Sequence, residues 1–283
     1  MNIYMKGARP FSQVFLRDKK YIKKILDSLD IEGEEVLEIG AGCGELSGFL
    51  YPRAKFLYCV EVDAKFIPSL KSKFCDIPNT QVIKSDILKF PLSKLNSVRS
   101  KSPEVIVAPK AATSNGVKKK LIIFGNIPYQ ISKRIIKYLV ENRSHIKRAY
   151  LTCQKEFAQK LTASVSTEHY GFLTCFIKYY AKVESLFNIP SSAFYPVPKV
   201  NSSFIKIELY RDSPHSKVRN VDYLFKIIRQ AFSQRRKKII NSLPLPKDGD
   251  KFLSKLRISP DARAENLSLK EYVSLANNLC NPY

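Results

Sequence analysis

The chain has 283 residues, enough for two average domains or one large α/β unit. With 45% hydrophobic and 26% charged residues, 17 Phe and 15 Tyr, its composition is globular and excludes a disordered, collagen-like or mini-protein chain. Lys and Arg number 48 against 25 acidic residues, a net charge of +23 that goes beyond what solubility asks for and points to a polyanionic partner.

Met1 to Lys20 alternates charged and apolar residues without a signal-peptide core, and no apolar run reaches the roughly 18 residues of a membrane span. A cytoplasmic protein with no membrane partner is expected. Short apolar runs at Glu35–Ile39, Phe56–Val60, Leu121–Phe124 and Ala149–Cys153 read as buried strands. Helical spacing at Ala64–Phe74 and Lys133–Val140 separates them, and this alternation predicts a parallel sheet. Between them Asn96–Lys120 fits no element: it is rich in Ser, Ala, Pro and Lys, with six basic residues and only Glu104 acidic. It reads as a floppy insertion entering the strand at Leu121 from its N-terminal end, away from the carboxyl edge where such sheets bind ligands.

Further on, Phe172–Tyr180 and Ser203–Leu209 are β-rich and predict an antiparallel pair closing the sheet edge. Arg211–Ser216 reads as a linker, and beyond it Tyr223–Phe232, Arg235–Leu243 and Ser268–Leu279 carry helical periodicity. The expected domains are residues 1–210, with 96–120 as an insertion, and residues 211–283. Six cysteines form no CxxC pair and three histidines add no ligand spacing, so no metal site is expected and the thiols read as reduced core residues.

Chemistry gathers at the predicted carboxyl ends of the strands. Val36-Leu37-Glu38-Ile39-Gly40-Ala41-Gly42-Cys43-Gly44 is a strand running into three alternate glycines, a turn that lets backbone approach a nucleoside closely. Its GxGxG spacing differs from the GxGxxG of pyrophosphate binders and no P-loop lysine follows, so a phosphate cradle is disfavoured. Glu61 ends the next strand about twenty residues on, where a carboxylate can accept both ribose hydroxyls. Asp86 ends a third, placed either for an adenine amino group or as a helix cap. The sharpest element is Phe124-Gly125-Asn126-Ile127-Pro128-Tyr129. An adenine N6 amine is a poor nucleophile because its lone pair is delocalised. The Asn126 side-chain oxygen and the Pro128 carbonyl can accept its two N–H groups and favour a tetrahedral nitrogen, while Tyr129 stacks on the extruded base. Arg235-Arg236-Lys237-Lys238, on a predicted helix, reads as a phosphate clamp.

Together these motifs resemble the KsgA-type rRNA adenine N6,N6-dimethyltransferases from Arg9 to Asn278. Further matching blocks are Ser12-Gln13-Val14-Phe15-Leu16, Gln154-Lys155-Glu156, Tyr170-Gly171-Phe172-Leu173, Ser192–Ser202 with Lys199 in its Pro-Lys-Val-Asn core, Ala231–Lys238 and Ala262–Leu267. The resemblance implies a Rossmann-like class I S-adenosylmethionine-dependent methyltransferase sheet of seven strands followed by a small C-terminal α-helical domain. It implies S-adenosylmethionine as cofactor, with Gly40 and Gly42 at its methionine part, Glu61 at its ribose, Asp86 at its adenine, and Gln13, Leu16, Ile87 and Asn126 also at the cofactor. Asn126, Pro128, Tyr129 and Phe194 would hold the target base, and Lys199 with Arg235, Arg236, Lys237 and Lys238 the RNA. The family pattern Gly-Gln-Asn-Phe-Leu stands here with Ser12 and Val14, so position 14 offers no side-chain amide, and the amide after the Pro-Tyr pair is Gln130. The implied reaction is dimethylation of N6 on two adjacent adenines in the 3′-terminal hairpin loop of small-subunit rRNA, during assembly of that subunit, by a monomer. The alternatives are an Erm-type enzyme acting on large-subunit rRNA and a non-catalytic assembly or transcription factor of the same fold.

Overall fold

The computed structural model describes residues 14–95, 120–214 and 217–280. Ser12, Gln13 and the Asn96–Lys119 part of the expected insertion lie outside the described residues. By internal contacts the chain divides into one unit of Met1–Lys155 with Ser185–Ile207, and another of Glu156–Glu184 with Glu208–Tyr283.

In the first unit the apolar runs form parallel strands. β2 (Glu35–Ile39) is buried at all five positions, as a strand covered on both faces must be. It pairs in parallel with β3 (Phe56–Glu61) on one side and β5 (Leu121–Asn126) on the other. β4 (Thr80–Lys84) continues beyond β3 and β6 (Ile146–Gln154) beyond β5, both also parallel. β9 (Ser202–Leu209) and β7 (Ala181–Ile189) complete a seven-stranded sheet of order β4-β3-β2-β5-β6-β9-β7. Helices α2 (Ser47–Leu50), α3 (Ile67–Phe74) and α4 (Ser132–Glu141) fill the crossovers. Before β2 lies α1 (Lys19–Asp27), capped by Asp18, whose carboxylate accepts the Lys20 amide at 2.8 Å. A separate antiparallel ribbon joins β1 (Phe15–Leu16) to β8 (Phe194–Tyr195). Val36, Leu57, Leu70, Ile122, Phe124, Tyr150 and Phe204 are among the buried residues that close this core.

The second unit is helical: α5 (Lys155–Thr162), α6 (Phe172–Tyr180), α7 (Val221–Ser233), α8 (Gly249–Lys255) and α9 (Leu269–Leu279). Two expectations are corrected here. Phe172–Tyr180 is a helix, and the strand next to β9 is the following segment, β7. Phe172, Phe176 and Tyr180 recur every four residues, a helical face, and together with Tyr179 they surround Phe225 of α7 with ring centroids 5.3 to 6.1 Å apart. Strand preference of aromatics measures fit to a packed surface, and here the packed surface is another helix. Arg235–Leu243 is not a helix either, since α7 ends at Ser233 and only a short 3-10 turn, Ile239–Asn241, follows. The Ile239 amide donates to the Ala262 carbonyl at 2.6 Å and Lys238 bridges Arg263, so this stretch bonds across to another segment as well as through short local turns.

The division into units also departs from a single boundary at residue 210, because Glu156–Glu184 falls with the later helices. Of the thiols, Cys59, Cys153 and Cys175 are buried, whereas Cys75 is exposed and Cys43 and Cys280 are half-buried. Among the described residues no helix is long and apolar enough to cross a membrane.

Because four rings converge on Phe225, Phe225→Ala should destabilise the helical unit by about 3 kcal/mol. Chemical denaturation followed by far-UV circular dichroism measures it, and a loss under about 1 kcal/mol would mean the rings repack without it.

Candidate active site

At the carboxyl end of β2 the chain turns through Gly40 and Gly42, and the amides of Gly40 and Ala41 donate to the Val60 carbonyl at 2.8 and 3.3 Å. Gly40 and Gly42 have φ of +73° and +56°, a conformation that strains any side chain. A Cβ on Gly42 would also lie 3.0 Å from the Phe15 ring, so the absent side chain lets β1 cover the turn.

Glu61, at the end of β3, holds this turn. It is 2% exposed; one carboxylate oxygen accepts the Gly42 amide at 2.8 Å and the other accepts the amides of Val62 and Asp63 at 2.8 Å each. Burial raises its pKa, opposed by these three amides. An ionised carboxylate offers about four acceptor positions. With three in use, the structure leaves room for one ligand hydroxyl on Glu61 rather than two.

Beside it Glu38 is 3% exposed, accepts the Ser47 hydroxyl and lines the same cavity. Burial first, and the negative Glu61 as well, push its pKa up to about 8 against the opposing Ser47 hydrogen bond and Lys73 charge. At neutral pH it is a neutral acid. The cavity has a volume of about 310 Å³, within the range of small-molecule sites. It is walled by Val14–Leu16, the glycine turn, Glu61, Ser85–Ile87 and Asn126–Ile131, which brings Leu16, Gly40, Gly42, Glu61, Asp86, Ile87, Asn126, Pro128 and Tyr129 together. Asp86 is both of the things its position suggested: it lines the cavity, and one carboxylate oxygen caps the turn at Ile87–Lys89 by accepting the Leu88 amide at 3.0 Å.

Asn126 is oriented by its neighbours. Its side-chain NH₂ donates to the main-chain carbonyl of Val14 at 2.8 Å, which fixes the carboxamide and leaves its oxygen for a ligand. Ile127 is buried and its amide donates to Thr152 at 3.1 Å. The Pro128 carbonyl accepts the Ile131 amide at 3.2 Å and, at the long limit, the Ser132 hydroxyl at 3.5 Å. Tyr129 shares a 2.9 Å hydrogen bond with the hydroxyl of the buried Ser202, and burial raises its pKa.

Three expected site residues stand elsewhere. Phe194 does not line the cavity: it is 2% exposed and packs in the core, because β8 pairs it with Leu16. Arg235 is a structural tie, ion-paired with Glu265 at 2.5 Å and donating to the Glu168 carbonyl at 2.7 Å. Lys238 is paired with Asp261 at 2.5 Å. Arg236 and Lys237 are exposed and, among the described residues, make no ion pair; Lys199 is exposed as well. Glu38, the Val14 carbonyl and Ser202 are the site groups that sequence reasoning passed over. Glu38 and Ser202 stood inside quoted motifs, and the Val14 contact belongs to main chain that no residue type signals.

A family model described as ribosomal RNA adenine dimethylase matches residues 5–281. The chain belongs to this family. Among its relatives, proteins named ribosomal RNA small subunit methyltransferase A from Fusobacterium nucleatum and Hahella chejuensis are 33% and 34% identical. The first alignment covers 95% of this chain and 96% of the relative, the second 98% and 94%. The crystal structure of a dimethyladenosine transferase from Plasmodium falciparum matches at TM-score 0.70 and 26% identity, over 92% of this chain and 95% of its own. The 23S rRNA methyltransferase ErmE matches at TM-score 0.68 and 22% identity, over 94% and 99%, a likeness of fold.

Glu38 ionises near 4.5 in an unfolded chain and near 8 in the folded protein, so its stabilising contribution is complete below the lower value and is lost as pH rises through the upper one. Glu38→Gln, which stays neutral, should therefore gain melting temperature relative to the parent as pH rises from about 5 to about 8. A pH-independent difference would mean that Glu38 is ionised throughout.

Proposed function

We propose that the protein transfers methyl groups from S-adenosylmethionine to N6 of two adjacent adenines in the 3′-terminal hairpin loop of small-subunit rRNA. The observation that carries this reading is the Asn126 carboxamide, held through its NH₂ by the Val14 carbonyl in the wall of a cavity that Glu61 also lines. The names of relatives at 33% and 34% identity favour the small subunit as substrate, while the Erm-type protein shares the fold at 22%. The intact Asn126, Tyr129, Glu61 and Asp86 favour turnover over a binding-only factor.

S-adenosylmethionine supplies an electrophilic methyl group on a cationic sulfur. Glu61 would accept one ribose hydroxyl at its remaining acceptor position, Asp86 would receive the adenine amino group on its uncommitted oxygen, and Ile87 and Leu16 would pack against the cofactor. Asn126 and Pro128 accept the two N–H groups of the target amine and turn its lone pair outward, while Tyr129, steadied by Ser202, offers its ring to the base. As N6 takes the methyl group, the S–CH3 bond would break, the sulfur would leave as a neutral thioether, and the displaced N6 proton would go to water. Arg236, Lys237 and Lys199 hold phosphates, a cytoplasmic site of action fits the substrate, and a monomer is sufficient for the chemistry.

Mass spectrometry of small- and large-subunit rRNA incubated with the protein and isotope-labelled cofactor tests the assignment: label should appear as dimethyladenosine in the small-subunit hairpin. Label confined to large-subunit rRNA, or none at all, would overturn it. Asn126→Ala should cut single-turnover rate by about 10²-fold or more while cofactor affinity changes far less. Normal turnover in that variant would mean another group activates the amine. Arg236→Glu with Lys237→Glu should flatten the salt dependence of rRNA binding without loss of folding, whereas Arg235→Ala should lower the melting temperature. An unchanged salt slope would move the phosphate contacts elsewhere.

A further inference from the structure

Next to the cavity mouth, four features of the first unit coincide that the reaction described above does not use. The ribbon of β1 and β8 registers Phe15 with Tyr195 and Leu16 with Phe194. Phe15 and Leu16 wall the cavity, while their partner strand puts Tyr195 outside at 43% exposure. The guanidinium of Arg17 lies 4.5 Å from the centre of the Tyr195 ring and covers one face of it. The Arg17 amide is itself fixed by the Ala193 carbonyl at 2.8 Å. After Tyr195 the chain carries Val197 at 64% and Val200 at 44% exposure, large apolar side chains on an outward loop with Lys199 between them.

The fourth feature is the charge on α1. Lys19, Lys20, Lys23 and Lys24 are exposed within one nine-residue helix whose first turn has no acidic residue. This placement is unfavourable for the helix itself. Cations at its start oppose the backbone dipole, and Lys19 with Lys23 and Lys20 with Lys24 are like-charge pairs four residues apart. Lys24 leans on the Phe187 ring, 4.3 Å from its centre, whereas Lys19, Lys20 and Lys23 form no ion pair among the described residues. A charge arrangement that works against local stability beside a cavity mouth is what an anionic ligand would offset.

We infer that the β1–β8 ribbon and α1 form a bracket for the rRNA strand flanking the target adenine, with Tyr195 stacking the neighbouring base and Lys19, Lys20 and Lys23 receiving its phosphates. The inference rests on the proposed function and extends it from the reacting adenine to its neighbours. Once an adenine has left its stack, the base beside it loses a partner, and an exposed ring backed by a guanidinium replaces that partner. Arg17 stiffens the ring and adds positive charge where the strand passes. Charge complementarity selects nucleic acid over an apolar peptide as the occupant, since Arg17, Lys19, Lys20, Lys23 and Lys24 outnumber the two acids of the same stretch, the cap Asp18 and Asp27 at the helix end.

Two sets of variants test this, each checked for unchanged cofactor affinity. Tyr195→Leu should raise the KM for assembling small subunits about tenfold, the size of one lost base–aromatic stack, with kcat within twofold of the parent, and Tyr195→Phe should behave as the parent. Replacing Lys19, Lys20 and Lys23 together by Gln should lower the salt slope of rRNA binding by about 2, the release expected from three phosphate contacts. A parental KM in Tyr195→Leu, or a Tyr195→Phe variant as impaired as the Leu variant, would overturn the stacking role. An unaltered salt slope in the triple variant would overturn the phosphate role. If the parent protein methylates no rRNA, the functional reading fails, and the salt slopes of the parent and triple variant still decide whether α1 binds RNA.

Discussion

The site depends on one buried carboxylate that is bound to main chain. Glu61 accepts amides from both sides of the crossover, Gly42 from the turn after β2 and Val62 with Asp63 from its own strand end. An ion taken out of water needs such partners, and three amides supply them without a counter-cation. The consequence is a turn held open in left-handed geometry, with one acceptor position facing the cavity. The neighbouring acid, Glu38, lacks such amides, and burial pushes its pKa up to about 8.

The opposite wall follows the same economy of main chain. Asn126 needs only a carbonyl to fix its carboxamide, and the Val14 carbonyl provides it whatever side chain stands there. The departure from the family's asparagine at position 14 therefore leaves the orientation of Asn126 intact. Tyr129 is likewise steadied from behind by Ser202, which ties the Pro-Lys-Val-Asn-Ser block to the base site through a hydroxyl rather than through the expected Phe194 ring.

The parallel strands and the glycine turn were legible because their signals are local: continuous apolar runs and alternate glycines need no partner to be recognised. Phe172–Tyr180 was misread because its aromatic residues fit a strand or a helix alike, and only Phe225, some fifty residues away, decides between them. Arg235 and Lys238 looked like phosphate ligands because charge runs carry no sign of their partners, and Glu265 and Asp261 neutralise them in the fold. The site residues grouped well because the carboxyl edge of a parallel sheet collects them whatever the intervening loops do. The carbonyl of Val14 had no signal at all, since every residue has one.

A high-resolution structure with the demethylated cofactor product bound tests the central claim most directly, because it shows whether Glu61 serves turn and ligand together. The account predicts that its contacts to Gly42, Val62 and Asp63 persist, with one ribose hydroxyl on the same carboxylate and the Asn126 amine still on the Val14 carbonyl. A carboxylate that abandons those amides to hold both ribose hydroxyls, or a ribose held by some other residue, would contradict it.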